Sequence, residues 1–498
     1  MRLAKVEKIL RQKGHGGMTP WRSKENGYHP LEREGDVEDD DDELESPRTP
    51  STPTTSAINR YAKHQEQRNT CKRTETETTF LMLSLQHRFI RKFLHYVLFP
   101  SRLAKYCAGF VHLVMTEVYT VAQLTLELSK QMSAVPGKRW VLMLLRLLVY
   151  SALLMPGFIQ VGLFYFFSSR VIRSIPYGPN PRNRCDLYLP TGSGHCCSGR
   201  NRKAASRGPS ASASSGSSPG LPVTIFVTGG AWIIGYKAWG SLFGKVLSKE
   251  GVIVVSLDYR NFPQGRIKEM LSDVDEGIGW VVNNVHKFGG DPTNICIVGQ
   301  SAGAHLTSLA LIECAEKAQL GDQLKAVAWQ PQQIRTFIGV SGAYDMVGLE
   351  KHLSQRGMHS KLLNAIMSVN GKPCLKDISP AARIFNYVQD PKKYKGVVNS
   401  FPRVVLLHGK EDHTIPYEHA EKFGHVLERA GVPVEMNLYE GETHTSPLIE
   451  NPMRGTEDML LEAVLQVIKP DTVSNVETNN RRLVPEVLIR LALQVSPF

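Results

Sequence analysis

The hydrophobic pattern is most regular after residue 220, where short runs of Val, Ile and Leu alternate with longer segments whose apolar positions recur every three or four residues. The short runs indicate buried strands, and the longer periodic segments indicate helices. The predicted strands cover residues 223–227, 252–257, 295–298, 334–340, 404–407 and 434–439, and the predicted helices cover 238–249, 267–288, 302–318, 417–430 and 456–467. Continuous apolar strands between helices predict an α/β fold with a mostly parallel central sheet flanked by helices.

The α/β pattern also sets the predicted limits of this domain, residues 171–470. CDLYLP at 185–190 is predicted to be a short strand entering the domain, and the Ser/Gly-rich stretch 191–220 a flexible insertion. Residues 346–391 break the rhythm and are predicted to form a small helical cap. Residues 471–498 then remain as a C-terminal tail or helix.

The first 170 residues follow a different pattern. Residues 1–78 are polar, rich in Ser, Thr and Pro, and contain an acidic run at 36–45. They hold too little apolar surface to offset their chain entropy, so we expect a disordered tail. Residues 79–170 are apolar and helical in pattern, and are predicted to be a membrane-associated helical region.

Within that region, residues 141–167 carry a single charge, Arg146. Roughly 20 consecutive apolar residues are enough to cross a bilayer core. We therefore predict a spanning or deeply embedded helix here, kinked at Pro156 and Gly157. Basic residues lie on both sides of the segment, so its orientation stays open.

The net charge of +12 does not indicate nucleic-acid binding, because no basic stripe is interleaved with aromatic residues. Basic flanks of a membrane segment explain the excess better, which makes a lipid membrane the expected partner. The eight cysteines show no C-x-x-C or metal-ligand spacing and are expected to be free thiols, with Cys296 as an apolar filler. No glycine pattern suggests a phosphate or dinucleotide site, so no cofactor is predicted.

The candidate chemistry begins at GQSAG, where Ser301 stands between a predicted strand and a predicted helix. A G-x-S-x-G sequence at such a turn is the pattern of a nucleophile elbow. Acyl transfer by a serine also needs a base, an acid that orients the base, and donors for the developing oxyanion.

Two loops after later strands supply these partners. Asp412 follows the strand 404–407, and His444 follows the strand 434–439, so both should lie at the same sheet edge as Ser301. This order of Ser, Asp and His is the one found in α/β hydrolases. The open alternatives are Glu411 for the acid and, for the base, the set His408, His413 and His419.

The oxyanion donors are expected from two places. One is the N–H of Ala302, directly after the serine. The other is the glycine-rich turn after the strand 223–227, where Gly230 and Ala231 are the best donors and Gly229 a hinge. A mere tight turn is the alternative for this segment.

Four stretches, TGGAWIIGYKAWGSLFG, DYRNFPQG, GGDPTNICIVGQSAGAH and PRNRCDLYLP, resemble the isoprenylcysteine α-carbonyl methylesterases of the α/β-hydrolase superfamily. The resemblance covers about residues 141–468 and leaves out the acidic tail and the Ser/Gly insertion. In this family Ser301, Asp412 and His444 match the triad. The substrate-contacting backbone is matched by Gly229, Gly230, Ala231, Gln300 and Ala302.

The resemblance implies hydrolysis of the methyl ester on a C-terminal prenylated cysteine, in a prenylated protein or a free prenylcysteine ester. It further implies residence at endoplasmic reticulum or Golgi membranes, and we expect the catalytic domain on the cytosolic side. Thr228 departs from the wider lipase-like pattern, in which many relatives carry histidine, and leaves open how the oxyanion loop is braced. A generic lipid or small-molecule esterase or formamidase, and a non-catalytic scaffold, are the alternative functions.

Overall fold

The structure, a computed structural model, describes residues 102–133, 139–191, 220–320, 328–356, 360–455, 458–470 and 482–497. The predictions for the tail 1–78, for the start of the helical region and for nearly all of the 191–220 insertion lie outside these residues.

The core of the described chain is an eight-stranded sheet in the order β1-β2-β4-β3-β5-β6-β7-β8. Its strands are β1 Val171–Pro176, β2 Arg184–Tyr188, β3 Leu221–Val227, β4 Ile253–Leu257, β5 Gly290–Gln300, β6 Ile334–Val340, β7 Arg403–Gly409 and β8 Val434–Tyr439. From β4 to β8 all neighbours pair in parallel, whereas β2 pairs antiparallel with both β1 and β4. The predicted mostly parallel sheet is therefore confirmed.

Helices cover both faces of this sheet. They are α1 Arg102–Ser133, α2 Arg139–Leu153, α3 Met155–Phe167, α4 Ser241–Leu247, α5 Ile267–Asn284, α6 Ala302–Leu320, α7 Met346–Gln355, α8 Ser360–Ile366, α9 Pro380–Gln389, α10 Pro391–Ser400, α11 Glu418–Ala430, α12 Glu450–Arg454, α13 Met459–Ile468 and α14 Glu486–Val495. Residues 346–391, the predicted cap, contain α7, α8, α9 and a small hairpin of Ser368–Val369 with Lys372–Pro373.

The central sheet is buried on both faces, because each strand contributes side chains to both. Successive side chains of a strand point to opposite faces. Along β5, Ile295 and Ile297 join one apolar cluster, while Cys296 and Val298 join a second cluster on the other face. A parallel sheet buried on both faces is the reason why these strands are continuously apolar.

The helices α2 and α3 belong to the second of these clusters. Tyr150, Leu154, Val161 and Tyr165 are all 5% exposed or less and pack in the cluster that contains Phe226 of β3. These helices therefore complete the apolar core on that face of the sheet.

The segment 141–167, predicted as one helix with a kink at Pro156 and Gly157, forms two separate helices in the structure. Two helices, α2 and α3, meet at Leu154 and are bent by 70°. Pro156 lies in the first turn of α3, where a proline is tolerated, but it could not occupy the interior of one continuous helix without breaking it. Over the described residues, no single helix is long and apolar enough to cross a membrane, and this bent pair meets that test only jointly, by length and composition.

Candidate active site

Ser301 lies at the turn between β5 and α6, with the left-handed backbone φ of 54° that side chains rarely adopt. The Ser301 N–H donates to the Val340 carbonyl at 2.8 Å, which ties the turn to β6. Gly303 permits the turn, because a Cβ there would come within 2.1 Å of the Val227 carbonyl oxygen. The sharp turn holds the hydroxyl at the carboxyl edge of the sheet.

Three predicted side chains converge at this edge. His444 Nε2 lies 2.9 Å from Ser301 Oγ, and His444 Nδ1 lies 2.7 Å from Asp412 Oδ2. Each of the three residues is 6% exposed or less. Since the carboxylate accepts the Nδ1–H, Nε2 is left as the acceptor of the serine hydroxyl.

Asp412 is held from several directions. Its Oδ1 accepts the N–H groups of Thr414 and Ile415 at 2.8 and 2.9 Å, and its Oδ2 also accepts His408 Nε2–H at 3.1 Å. Burial alone would raise the pKa of Asp412, but His444 and His408 outweigh it and hold this pKa well below its usual range. The carboxylate is therefore charged and fixed in orientation.

The alternative candidates for the base and the acid are either bonded to other groups or exposed at the surface. His408 directs its Nε2–H to Asp412 and to the Ile415 carbonyl, 2.9 Å away, rather than to the serine. His419 accepts the Asp345 N–H at 3.3 Å, and burial lowers its pKa to about 4. Glu411 and His413 are exposed. Among these candidates the structure brings only His444 and Asp412 into line with Ser301.

The glycine-rich turn after β3 lies directly against the serine. A Cβ on Gly229 would come within 2.7 Å of Ser301 Cβ. The Gly229 N–H donates to Gln300 Oε1 at 3.2 Å, so this N–H braces the turn. Ala231 and Trp232 have positive φ angles of 50° and 61°. Two side-chain-bearing residues in this backbone region are strained, a feature often found at functional sites.

A set of side chains that the sequence analysis missed supports this turn. Tyr259 Oη donates to the Thr228 carbonyl at 3.1 Å, and Trp232 Nε1–H donates to His305 Nδ1 at 3.2 Å. His305 Nε2–H in turn donates to the Ile378 carbonyl at 2.8 Å, within the predicted cap. Burial lowers the pKa of His305 to about 4, so the ring is neutral, as this pair of bonds requires.

His305 could have been found from the sequence by one signal. It follows Ser301 by four residues on the predicted helix, and residues so spaced lie on one helix face. The bracing partner Trp232 had no comparable signal, because the two residues are 73 positions apart.

A buried charged cluster lies further along the same segment. Lys237 Nζ contacts Glu117 of α1 at 3.0 Å and Asp186 of β2 at 3.4 Å. Burial alone would lower the pKa of Lys237, but the negative charges of Asp186 and Glu117 raise it. Tyr165 donates to Asp186 at 2.8 Å. The cluster thus connects α1 and α3 to the residues that follow the glycine-rich turn.

Four cysteines have described side chains, and all four are free: Cys185, Cys296, Cys314 and Cys374. Cys296 is 1% exposed within β5, in agreement with its expected role as apolar filler.

Comparison with known proteins identifies the family. The BD-FAE family model matches residues 212–427. A probable isoprenylcysteine alpha-carbonyl methylesterase of Oryza sativa is 41% identical over 387 residues, which are 77% of this chain and 84% of that protein. The isoprenylcysteine alpha-carbonyl methylesterase of Arabidopsis thaliana is 40% identical over 388 residues, 77% of this chain and 82% of that protein.

Among solved structures, an inhibited esterase B of Lactobacillus rhamnosis matches with 17% identity and a TM-score of 0.46, covering 66% of this chain and 96% of that one. The identity and coverage of the plant relatives are high enough to fix the family. The chain belongs to the isoprenylcysteine alpha-carbonyl methylesterase family and is a carboxylic ester hydrolase.

Proposed function

We propose that Ser301, His444 and Asp412 form a catalytic triad that hydrolyses a carboxylic ester through an acyl-enzyme. The observation that carries the proposal is the continuous contact from Ser301 Oγ to His444 Nε2 at 2.9 Å and from His444 Nδ1 to Asp412 at 2.7 Å. Nucleophile, base and orienting acid are the three parts that serine acyl transfer requires.

In the first half-reaction, the Ser301 oxygen attacks the ester carbonyl carbon as its proton passes to His444 Nε2. The tetrahedral intermediate then collapses, the bond from carbon to the alkoxy oxygen breaks, and His444 returns the proton to the leaving alcohol. Water repeats the sequence on the acyl-enzyme, releasing the acid and restoring Ser301. Asp412 stays ionised and stabilises the imidazolium formed in each half.

The oxyanion donors are proposed to be the N–H groups of Gly230, Ala231 and Ala302. Among the described residues none accepts a hydrogen bond from Gly230 or Ala231 N–H. Ala302 is the first residue of α6, where N–H groups have no partner within the helix. Gln300 is proposed to support the oxyanion site indirectly. Its Oε1 accepts the Gly229 N–H, and its Nε2 lies 3.5 Å from His444 Nε2.

The proposed substrate is the methyl ester of a C-terminal prenylated cysteine. This rests on the names of the plant relatives, which span most of this chain. The leaving alcohol would then be methanol, and the prenyl chain would keep the substrate at a lipid surface, at about 0.8 kcal/mol per buried methylene. The alternative substrates are generic lipid or small-molecule esters and formamides.

We propose further that the enzyme docks on the cytosolic surface of endoplasmic reticulum or Golgi membranes through the outward faces of α2 and α3. On α3 the exposed positions recur every four residues, at Met155, Ile159, Leu163 and Phe167, with exposures of 45% to 67%. The opposite side of α3 is buried on the protein. A helix that buries one side on the protein and exposes a contiguous apolar stripe on the other is suited to a membrane interface.

The decisive experiment compares kcat/KM of the full chain on farnesylcysteine methyl ester and on p-nitrophenyl acetate, with Ser301→Ala as control. A preference for the prenyl ester of at least about 100-fold is expected. A preference for the acetate would support the generic esterase. Ser301→Ala should lose both activities and its labelling by a fluorophosphonate probe. A folded Ser301→Ala protein that is still labelled would contradict the role of Ser301.

A further inference from the structure

A fully buried carboxylate lies behind the loop that carries His444. Glu450, at the start of α12, is 0% exposed, and its Oε1 accepts hydrogen bonds from Tyr150 Oη at 2.6 Å and Thr445 Oγ1 at 2.9 Å. Burial raises the pKa of Glu450, and the two hydroxyl donors oppose this rise. A carboxylate in such a place costs free energy that apolar packing would not, so a role beyond packing is indicated.

The first partner of Glu450 is the neighbour of the proposed base. Thr445 directly follows His444 and is 7% exposed. Its hydroxyl is held by Glu450, and its carbonyl accepts the N–H groups of Leu448 and Ile449 at 3.0 and 2.9 Å. Because consecutive Cα atoms are only about 3.8 Å apart, a displacement of Thr445 is passed to His444.

The second partner comes from outside the sheet. Tyr150 is 2% exposed and lies near the end of α2, a helix whose other side exposes Leu142, Leu145 and Leu148 by 56% to 60%. Its hydroxyl reaches Glu450 and lies 3.4 Å from Thr445 Oγ1. One buried carboxylate thus joins the apolar helix α2 to the loop of His444.

We propose that Tyr150, Glu450 and Thr445 are positioning residues that hold His444 between Ser301 and Asp412. The inference rests on the proposed role of His444 as general base. The imidazole must keep contacts of 2.9 and 2.7 Å on its two sides, and a misplacement of about 1 Å can cost about 100-fold in rate. The network acts on the rate of chemistry, not on substrate binding.

Tyr150→Phe tests the network, and Tyr165→Phe is its matched control. Both tyrosines are buried, both lie on the helices α2 and α3, and both donate to a buried carboxylate, but Tyr165 donates to Asp186 at 2.8 Å, away from His444. On p-nitrophenyl acetate we expect the kcat of Tyr150→Phe to fall about tenfold with KM within twofold of the parent. The kcat of Tyr165→Phe should stay within twofold, with a comparable loss of Tm.

A second pair of variants covers the case in which Tyr150→Phe fails to fold. Thr445→Val removes the hydroxyl at nearly constant volume and should lower kcat about tenfold. Thr445→Ser keeps a hydroxyl and should therefore keep kcat close to that of the parent. Parent-like kcat in Thr445→Val, or equal kcat losses in the two Tyr→Phe variants, overturns the network. Activity that survives Ser301→Ala contradicts the proposed function instead, so the two failures are distinguishable.

Discussion

Trp232 and His305 are joined edge to face, with ring centroids 5.4 Å apart and a hydrogen bond of 3.2 Å from the indole N–H to His305 Nδ1. The indole belongs to the strained turn after β3, and the imidazole belongs to the helix that begins at Ser301. The contact therefore fixes the proposed oxyanion donors relative to Ser301, the proposed nucleophile. It supplies a brace for the loop in which Thr228 departs from the wider lipase-like pattern.

His305→Ala should remove this brace and lower kcat by about 10- to 100-fold, with little change in KM. Displaced oxyanion donors lose much of their stabilisation of the transition state but affect binding of the uncharged ester little. His305→Gln can keep an acceptor toward Trp232 and a donor toward the Ile378 carbonyl, so it should retain most of the activity. Steady-state kinetics on one ester are sufficient. Equal losses in the two variants would assign His305 a packing role only.

Lys237→Met should destabilise the protein strongly, because it leaves Glu117 and Asp186 buried without their cation. Removing one member of a buried ion pair typically costs about 3–5 kcal/mol of unfolding free energy. Lys422→Met is the control, since Lys422 pairs with Asp345 at the surface and is 58% exposed. Urea titrations of the two variants give the comparison. If both unfold at the parent's midpoint, the buried cluster contributes no stability.

The sequence predicted the sheet and the sheet edge that holds the site because both depend on local patterns. Buried parallel strands are continuously apolar, and residues after their carboxyl ends meet at one edge. Ser301, Asp412 and His444 could therefore be placed without knowing any tertiary contact. The strand β1 was missed, since VIRSIP pairs only with β2 at the edge of the sheet and lacks a continuous apolar run.

The contacts that brace the site could not be predicted in the same way. Tyr150 and Glu450 are 300 positions apart, and Lys237 and Glu117 are 120 apart. No periodicity links such pairs. What covers residues 141–167 could not be predicted for a related reason: composition measures how apolar a segment is, but not whether lipid or the protein's own sheet covers it. Here α2 and α3 bury one side on the protein and expose the other.

The pH dependence of stability should contain a contribution from Asp458. Burial raises its pKa to about 7, with hydrogen bonds such as the 3.0 Å bond from Leu461 N–H opposing the rise. A raised carboxyl pKa favours the protonated folded state. This contribution to stability is complete below about pH 4 and is lost as the pH rises through 7.

Asp458→Asn keeps the N-cap acceptor for α13 but cannot ionise. The variant's stability relative to the parent, measured as the difference in unfolding free energy, should therefore be roughly 1–3 kcal/mol higher at pH 8 than at pH 5. Asp390→Asn is the matched control, an exposed N-cap that accepts the Lys393 N–H. Its effect should be the same at both pH values. A pH-independent effect of Asp458→Asn as well would show that Asp458 is not protonated in the folded protein.

The apolar stripe on α3 gives a test of membrane docking that is separate from catalysis. Replacing Ile159, Leu163 and Phe167 by serine removes three side chains that are 54% to 67% exposed and leaves the buried side of the helix unchanged. Each such side chain contributes up to about 1.5–3 kcal/mol when it is fully transferred from water. We expect at least tenfold weaker flotation with phosphatidylcholine–phosphatidylserine vesicles. Turnover of p-nitrophenyl acetate should be unchanged, because none of the three exposed side chains takes part in the contacts among Ser301, His444 and Asp412.

Phe385→Ser controls for the loss of exposed apolar surface in general. Phe385 lies on α9 and is 41% exposed, on a helix separate from α2 and α3. It should float like the parent. Parent-like flotation of the triple variant would exclude this stripe as the docking surface, whereas a loss shared with Phe385→Ser would indicate unspecific adhesion. A loss confined to the triple variant means that α3 binds lipid as a surface helix, with its other side closing the core of the hydrolase.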